Sequence, residues 1–299
     1  MSHDLSWADT AALEAMRRVQ ADITCEVDWF SRPNCSLRVL RLSALSVEDG
    51  LPIVFVPGWA STPFTWRYFL PALLRLGPVY YLETREKSSA SIARKEAFRI
   101  DQMAGDIASY ALQRLRSNHY ALIGASSGAN LILESLNDSS IEPACAALLL
   151  PHTRMPVPNY VMGLRALPSP LLKPVKAVLV ELVKHGLIPR HLSAQREGML
   201  PALDVADLSR LSRSAASWRS YRLDCNSINS IGVPTLVVGA TDDPIHDVRA
   251  ARSICNALPE GSWFDALTFT GAHSSRVAEY VGQWVKTHVV KSRLHDKTQ

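Results

Sequence analysis

Residues 122–129 read Leu-Ile-Gly-Ala-Ser-Ser-Gly-Ala and decide the fold expected for this 299-residue chain. Gly124, Ser126 and Gly128 form a G-x-S-x-G pattern between a short apolar run and an amphipathic segment. A serine in this context sits on a tight strand-to-helix turn, where side chains two positions away on either side would collide, which favours glycine. The pattern predicts that Ser126 presents its hydroxyl at the tip of a strained turn, as a nucleophile would.

The segments around this turn alternate between short apolar runs and helical stretches. Continuous apolar runs such as 52–56 (PIVFV) and 234–238 (PTLVV) are typical of buried parallel strands. The alternation predicts an α/β fold with a mostly parallel central sheet and helices on both faces. The predicted strands are Ile23–Phe30, Ser36–Leu45, Pro52–Val56, Val79–Leu82, Tyr120–Ile123, Cys145–Leu150, Pro234–Val238 and Trp263–Phe269. The predicted helices outside the interruption described next are Trp7–Ala21, Thr62–Leu76, Ile100–Arg116, Ser127–Leu136, Val248–Leu258 and Ser275–Val290.

The alternation stops between Pro151 and Asn229, where prolines divide short helical stretches and no strand pattern occurs. We therefore expect a core formed by residues 1–150 and 230–299, interrupted by a helical insertion over 151–229. Its apolar stretch Leu171–Leu187 either packs the insertion onto the core or lines a pocket for an apolar group.

A serine hydroxyl is a weak nucleophile and needs a base that an acid orients. Downstream of Ser126, two aspartates follow the run 234–238, Asp242 and Asp243, and His273 follows the predicted strand Trp263–Phe269. Along the chain, the candidates follow in the order serine, acid and histidine, which is the order that accompanies the G-x-S-x-G turn. His273 is the predicted base, and one of the two aspartates is the predicted acid.

Two other histidines compete with His273 for the role of base. His246 lies in the same loop as the acid, and we do not expect that loop both to orient it and to aim it at Ser126. His152 follows the predicted strand Cys145–Leu150, at the start of the insertion, where it could line the pocket.

Two backbone amides are candidates for an oxyanion hole. The Ser127 N–H begins the helix after Ser126, where helix N–H groups lack intrahelical partners and the helix dipole is positive. The second candidate is the Trp59 N–H, in the loop Pro57–Ser61 after the run 52–56.

These residues together resemble the α/β-hydrolase superfamily, in its esterase, lipase and haloperoxidase-like branch with a helical cap. The elbow GASSG matches the family's nucleophile turn at Ser126, and Gly271-Ala272-His273 matches its Gly-x-His. The resemblance favours Asp243 over Asp242, because Asp-Pro-Ile-His is the longer match. Two departures are Pro57 in place of the family's histidine before the glycine, and a Glu83–Ser89 loop without the family's two glycines.

The resemblance implies a serine hydrolase that works through an acyl-enzyme, and carboxylic esters are the expected substrates. The apolar side chains of the insertion suggest that the ester carries an apolar acyl or alcohol group. A serine rather than an aspartate at the elbow excludes the epoxide-hydrolase and dehalogenase relatives. Other chemistry on the same triad stays open: acyl transfer, lactone or amide cleavage, C–C bond hydrolysis and perhydrolysis. A ligand-binding member of the fold without catalysis is the remaining alternative.

Composition and charge limit the classes of molecule that the chain is expected to bind. A net charge of +4 from scattered side chains does not favour nucleic acid, so the expected partner is a small ester-like molecule. Five widely spaced cysteines indicate neither a disulfide framework nor a zinc site, and the proposed triad needs no metal or cofactor. Neither a signal peptide nor a transmembrane run is recognisable, so we expect a cytoplasmic protein.

Overall fold

A single mixed sheet forms the centre of the computed structural model, which describes residues 5–47, 50–93, 96–115, 118–138, 140–185 and 193–296. Along the sheet, the strands follow the order β1-β2-β4-β3-β6-β7-β8-β9, and β5 pairs with β2. The strands are β1 Ile23–Arg32, β2 Cys35–Ala44, β3 Ile53–Val56, β4 Val79–Leu82, β5 Ser91–Ile92, β6 Ala121–Ala125, β7 Cys145–Leu149, β8 Thr235–Gly239 and β9 Gly261–Asp265.

Strand direction divides the sheet into two parts. β1 and β2 form an antiparallel hairpin, and β2 also runs antiparallel to β4. From β4 through β3, β6, β7 and β8 to β9, every neighbouring pair is parallel. All residues of β3, β6, β7 and β8 are buried, because helices cover both faces of the sheet. The predicted fold class is confirmed.

Helices pack on both faces of this sheet. α1, α2 and α11 share one core cluster with the strands, and α3, α4 and α9 share the other. The helices are α1 Trp7–Val19, α2 Leu70–Leu74, α3 Ile100–Arg114, α4 Ser127–Asn137, α5 Asn159–Gly163, α6 Ser169–His185, α7 Ser193–Val205, α8 Leu208–Ser220, α9 Val248–Ala257, α10 Phe269–Ala272 and α11 Ser275–Asp296.

Two predicted elements differ from the observed ones. The helix expected over Thr62–Leu76 is a 3-10 turn, Pro63–Trp66, followed by the short α2. The strand expected over Trp263–Phe269 is wrong at its end: β9 stops at Asp265, and Phe269 begins α10. The Asp265 carboxylate accepts hydrogen bonds from the N–H groups of Thr241 and Leu267, which turns the chain away from the sheet.

The segment between β7 and β8 contains α5, α6, α7 and α8, and its described residues include no strand. A small apolar cluster of Leu164, Leu172, Leu208 and Leu211 joins α6 to α8, and Leu203 of α7 packs against it. Its neighbours include Trp59 and Ala60, which belong to the loop after β3. The helical segment therefore rests on the end of the sheet where the parallel strands finish.

In the part of the chain that the structure describes, no helix is long and apolar enough to cross a membrane. The described residues likewise contain no group of three or more His, Cys, Asp or Glu side chains arranged to hold a metal ion.

The turn between β6 and α4 is held by close backbone packing at its two glycines. A Cβ added at Gly128 would lie 2.2 Å from the Val56 carbonyl oxygen, and one added at Gly124 would lie 2.7 Å from the Gly128 carbonyl oxygen. No side chain fits at such distances without backbone movement. Between them, Ser126 adopts φ 51° and ψ −118°, the strained conformation expected from the sequence.

We predict that Gly128→Ala lowers the free energy of unfolding by about 3 kcal/mol or more, because the added methyl group must displace β3 or α4. Urea denaturation measures the change. Gly105→Ala in α3 is the matched control, since nothing lies within 4 Å of its added Cβ. This control should be stabilised by up to about 1 kcal/mol, as alanine is favoured within a helix. Equal stability of Gly128→Ala and the wild type would refute the close-packing argument.

Candidate active site

Ser126 lies at the tip of the turn between β6 and α4, with its backbone fixed on both sides. Its N–H donates to the Leu149 carbonyl at 2.7 Å, and its carbonyl accepts from the Asn130 N–H at 3.2 Å. Its hydroxyl is within hydrogen-bond distance of two imidazoles, those of His152 and His246. The structure thus places the predicted nucleophile beside two candidate bases.

His246 connects Ser126 to an acid. Its Nδ1 lies 2.8 Å from Asp243 Oδ2, and its Nε2 lies 3.3 Å from Ser126 Oγ. This is the arrangement of a serine, a base and an orienting carboxylate. The argument from sequence against His246 is therefore wrong, because one loop both orients this imidazole and aims it at the serine.

A tight turn explains how Asp243 can orient the ring of His246, which lies only three residues later in the chain. Asp243 Oδ1 accepts the backbone N–H groups of Ile245 and His246 at 2.7 and 3.2 Å, which leaves Oδ2 for the imidazole. Pro244 restricts the backbone between them. The Asp243 carboxylate thus folds its own loop and holds the ring.

The two candidate acids have different surroundings. The Asp243 side chain is fully buried against His246, whereas the Asp242 side chain is exposed. Burial raises the pKa of Asp243, but the hydrogen bond and charge of His246, with the backbone N–H groups of Ile245 and His246, outweigh it and lower the pKa below its ordinary value. Asp243 is therefore the carboxylate placed to orient an imidazole.

His152 is the second imidazole at Ser126, with its Nε2 3.2 Å from Oγ. Its backbone is held by Asn130, whose side-chain oxygen accepts the His152 N–H at 3.0 Å and whose amide donates to the His152 carbonyl at 2.6 Å. Its ring stacks on that of His246, with centroids 4.8 Å apart. From the sequence, His152 was expected to be able to line the pocket, whereas Asn130 was not singled out. A polar residue among the apolar positions of a predicted helix was the signal that could have identified Asn130.

The two imidazoles take different roles because a hydroxyl has one hydrogen to donate. Asp243 accepts the Nδ1–H of His246, so in the neutral ring Nε2 is the acceptor for the Ser126 hydroxyl. His152 can then bond to Oγ only as a donor through Nε2–H. Burial, together with the neighbouring His246, lowers the pKa of His152 to about 3, so this ring is a poor proton acceptor.

His273, the predicted base, is directed elsewhere in this structure. Its Nδ1 lies 2.8 Å from the Phe269 carbonyl oxygen, one turn earlier in the chain, so this nitrogen donates there rather than to Asp243. Its ring stacks against Trp66 at 4.2 Å and Phe269 at 4.3 Å between centroids. Burial lowers its pKa to about 4. The short α10 creates this environment, since His273 ends that helix instead of following a strand.

The oxyanion loop, Pro57–Ser61, approaches Ser126 closely. A Cβ added at Gly58 would lie 3.3 Å from the Ser126 Cβ. Within the described residues the Trp59 and Ser127 N–H groups have no hydrogen-bond partner. The indole of Trp59 donates to Ser214 Oγ in α8 at 2.9 Å, which fixes the loop to the helical segment. Both predicted amides are thus free to donate to a ligand.

Comparison with known proteins agrees with this architecture. The sequence model of the "Alpha/beta hydrolase family" matches residues 53–283, which is most of the chain. The chain belongs to this family. No curated protein sequence is significantly similar to it.

Solved structures with the same fold include several hydrolases. The enol-lactonase from Burkholderia xenovorans LB400 aligns with a TM-score of 0.69 at 14% identity, over 88% of this chain and 100% of that one. A putative lipase from Acinetobacter baumannii AYE aligns at 0.64 and 13%, over 98% and 99%. Naproxen esterase from Bacillus subtilis aligns at 0.62 and 17%, over 95% and 98%. At these identities the likeness extends to the fold alone.

We predict that the imidazole of His273, which stacks against Trp66 and Phe269, makes the protein less stable in mild acid. Its folded-state pKa of about 4 lies below the ordinary 6.5, so the unfolded chain binds more protons between these values. Stability is fully present above pH 6.5 and is lost as the pH falls towards 4, by about 1.4 kcal/mol per pH unit for one histidine.

Urea denaturation between pH 4.5 and 7 checks this prediction by comparing the wild type with His273→Gln, whose free energy of unfolding should fall less steeply. His288→Gln is the control, because His288 also bonds through Nδ1 to a carbonyl one turn back but stacks against one aromatic ring, that of Trp284, rather than two. Parallel curves for His273→Gln and the wild type would contradict the neutral, buried assignment.

Proposed function

We propose that this hydrolase-family protein is a serine hydrolase of carboxylic esters that works through an acyl-enzyme. The observation that carries the proposal is the continuous contact from Asp243 through His246 to Ser126, at 2.8 and 3.3 Å. The two free amides beside the serine, those of Trp59 and Ser127, supply hydrogen-bond donors for the oxyanion that forms in the transition state. The proposed catalytic residues are therefore Ser126, His246 and Asp243, with the Trp59 and Ser127 amides as the oxyanion hole.

In the first half-reaction, Ser126 Oγ attacks the ester carbonyl carbon while its proton passes to His246 Nε2. Asp243 stays ionised and stabilises the imidazolium through the Nδ1–H bond. The negative charge that forms on the carbonyl oxygen is stabilised by the two amides, and one such donor is worth about 3 kcal/mol. His246 then returns its proton to the leaving alkoxide oxygen, and the C–O bond breaks to give the acyl-enzyme and an alcohol.

In the second half-reaction, a water molecule attacks the acyl carbon as His246 takes its proton. Collapse of the second tetrahedral intermediate releases the carboxylic acid, and His246 returns the proton to Ser126 Oγ. His152 is a poor base for this step, because burial lowers the pKa of its ring to about 3. Its Nε2–H instead holds Oγ in line with the base.

The sequence favoured His273 as the base, and that assignment is the alternative to His246. It would require the His273 ring to leave the Phe269 carbonyl and reach Asp243, which now binds His246. The Phe269 ring lies 5.9 Å from the His246 ring and 4.3 Å from the His273 ring between centroids, so His273 lies close to the same site. The two assignments predict opposite results for single substitutions.

We predict that a fluorophosphonate adds once to the wild type and not to Ser126→Ala, as measured by intact mass. His246→Gln should slow the reaction at least about a hundredfold, because the serine loses its general base. His273→Gln, the matched control, should react at nearly the wild-type rate. Both variants should retain the wild-type circular dichroism spectrum.

The reverse pattern, with His273→Gln slow and His246→Gln fast, would transfer the role of base to His273. A folded wild type that forms no adduct would refute the serine-hydrolase proposal and favour a ligand-binding member of the fold. Added alcohols that divert the acyl group from water would instead identify an acyltransferase, and hydrolysis of lactones or amides in preference to esters would identify those reactions.

We also propose that residues 151–229 form a cap and that the substrate carries an apolar acyl or alcohol group. In α6, Leu172, Val175 and Leu179 pack within the cap, whereas Leu171, Val178 and Leu182 are exposed. Trp59 packs against the cluster that includes Leu172, Val175 and Leu179, and it belongs to the oxyanion loop beside Ser126.

We predict that the kcat/KM for p-nitrophenyl esters increases from acetate to hexanoate by about threefold or more for each added pair of methylene groups, because each buried methylene contributes up to about 0.8 kcal/mol. Initial rates on the ester series measure it. Rates independent of acyl length would contradict an apolar acyl pocket, and the same series varied in the alcohol would then test the other side of the ester.

A further inference from the structure

Lys87 is a buried lysine outside the proposed triad, and its ammonium group contacts the oxyanion loop. The residue is 8% exposed, and its Nζ donates to the Gly58 carbonyl oxygen at 2.8 Å. Lysine is almost never fully buried unless its charge is paired. Among the described residues its one ion pair, with Glu86 Oε1, is longer at 3.4 Å. The closest partner of this buried charge is therefore a backbone carbonyl.

That carbonyl belongs to the same peptide group as the Trp59 N–H, the proposed oxyanion donor. A peptide is planar and trans, so its N–H points away from its C=O. Fixing the Gly58 oxygen from one side therefore fixes the direction of the Trp59 N–H on the other. A cation at the carbonyl also draws electron density from the amide and strengthens the N–H as a donor, as expected for linked hydrogen bonds.

Buried ion pairs hold the loop that carries Lys87. Glu83 accepts a two-point hydrogen bond from Arg38 at 2.8 and 2.9 Å. Arg85 makes a second two-point contact with Asp106 at 2.6 and 2.9 Å. Two-point contacts between guanidinium and carboxylate groups fix direction as well as distance. The loop is therefore anchored at two points just before the lysine.

The cap holds the same loop from above. Arg210 of α8 donates to the Lys87 carbonyl at 2.8 Å and to the Ala90 carbonyl at 2.5 Å. A cavity of about 370 Å³ lies between this loop, the oxyanion loop and the cap, and Ser61, Lys87 and Leu211 are among its lining residues. Lys87 thus stands between the cap and the oxyanion loop.

We propose that Lys87 is a positioning residue that orients and polarises the Gly58–Trp59 peptide for transition-state binding. This inference rests on the proposed function, because it concerns the oxyanion hole of that reaction. Lys87 does not touch the reacting atoms; it acts through the peptide. The loop without glycines, Glu83–Ser89, thereby gains a role: it delivers a rigidly held cation to the back of an oxyanion donor.

The test compares Lys87→Met and Lys87→Gln with the wild type. Lys87→Met removes both charge and donor, whereas Lys87→Gln keeps a neutral donor and covers the case in which the methionine variant does not fold. Lys176→Met is the matched control, because Lys176 Nζ also donates to backbone carbonyls, those of Asp204 and Ala206, but within the cap. The readouts are kcat and KM for p-nitrophenyl butyrate, the inhibition constant of butylboronic acid, and thermal unfolding.

Butylboronic acid separates a positioning role from a purely structural one, since its tetrahedral adduct with serine places an oxygen in the oxyanion hole. We expect Lys87→Met to lower kcat about tenfold to a hundredfold and to weaken boronate binding by a similar factor, with KM nearly unchanged. Lys87→Gln should lie between this variant and the wild type. Lys176→Met should match the wild type in kcat and boronate binding.

The proposal is overturned if folded Lys87→Met or Lys87→Gln keeps wild-type kcat and boronate affinity, or if only KM rises. Failure of the proposed function would look different, because the wild type itself would then show no fluorophosphonate adduct and no boronate binding. An active wild type with unaffected Lys87 variants would leave the triad in place and remove only the role of Lys87.

Discussion

The close approach of α4 to β3 is the constraint on which the rest of the site depends. Gly128 leaves no room for a side chain against the Val56 carbonyl, and this contact holds the start of the helix at the end of the sheet. Ser126 can keep its unfavourable φ because buried strands and helices on both sides determine its backbone. The same contact brings the free N–H of Ser127 beside the end of β3, where the oxyanion loop begins.

Around this turn, the polar groups of the site are fixed by partners that lie in the backbone or are themselves buried. Asp243 is held by two N–H groups of its own loop, and His152 by both polar atoms of the Asn130 side chain. Burial keeps the imidazoles of His152 and His273 neutral, with pKa values of about 3 and 4. Three histidines thus share one region, but the contacts of each ring differ, and these contacts separate their chemical roles.

The elbow and most strand segments of the sheet were predictable from the sequence, because both depend on local patterns: glycines two residues from a serine, and short apolar runs between helical stretches. The choice of histidine was not. His273 was expected to follow a strand, but β9 ends at Asp265 and a one-turn helix carries His273 onto Trp66. His246 was set aside because the loop of the acid was not expected both to orient its ring and to aim it at Ser126. The Asp243 turn removes that objection.

The sequence by itself determined the fold class, the candidate nucleophile and the position of the acid loop, since strand burial, helix periodicity and turn chemistry are properties of neighbouring residues. Only the tertiary structure decided which imidazoles meet Ser126 and where the cation of Lys87 lies. Those outcomes depend on contacts between residues far apart in the chain: 120 positions separate His246 from Ser126, and 29 separate Lys87 from Gly58. No local pattern specifies such distances, because packing of the whole sheet sets them.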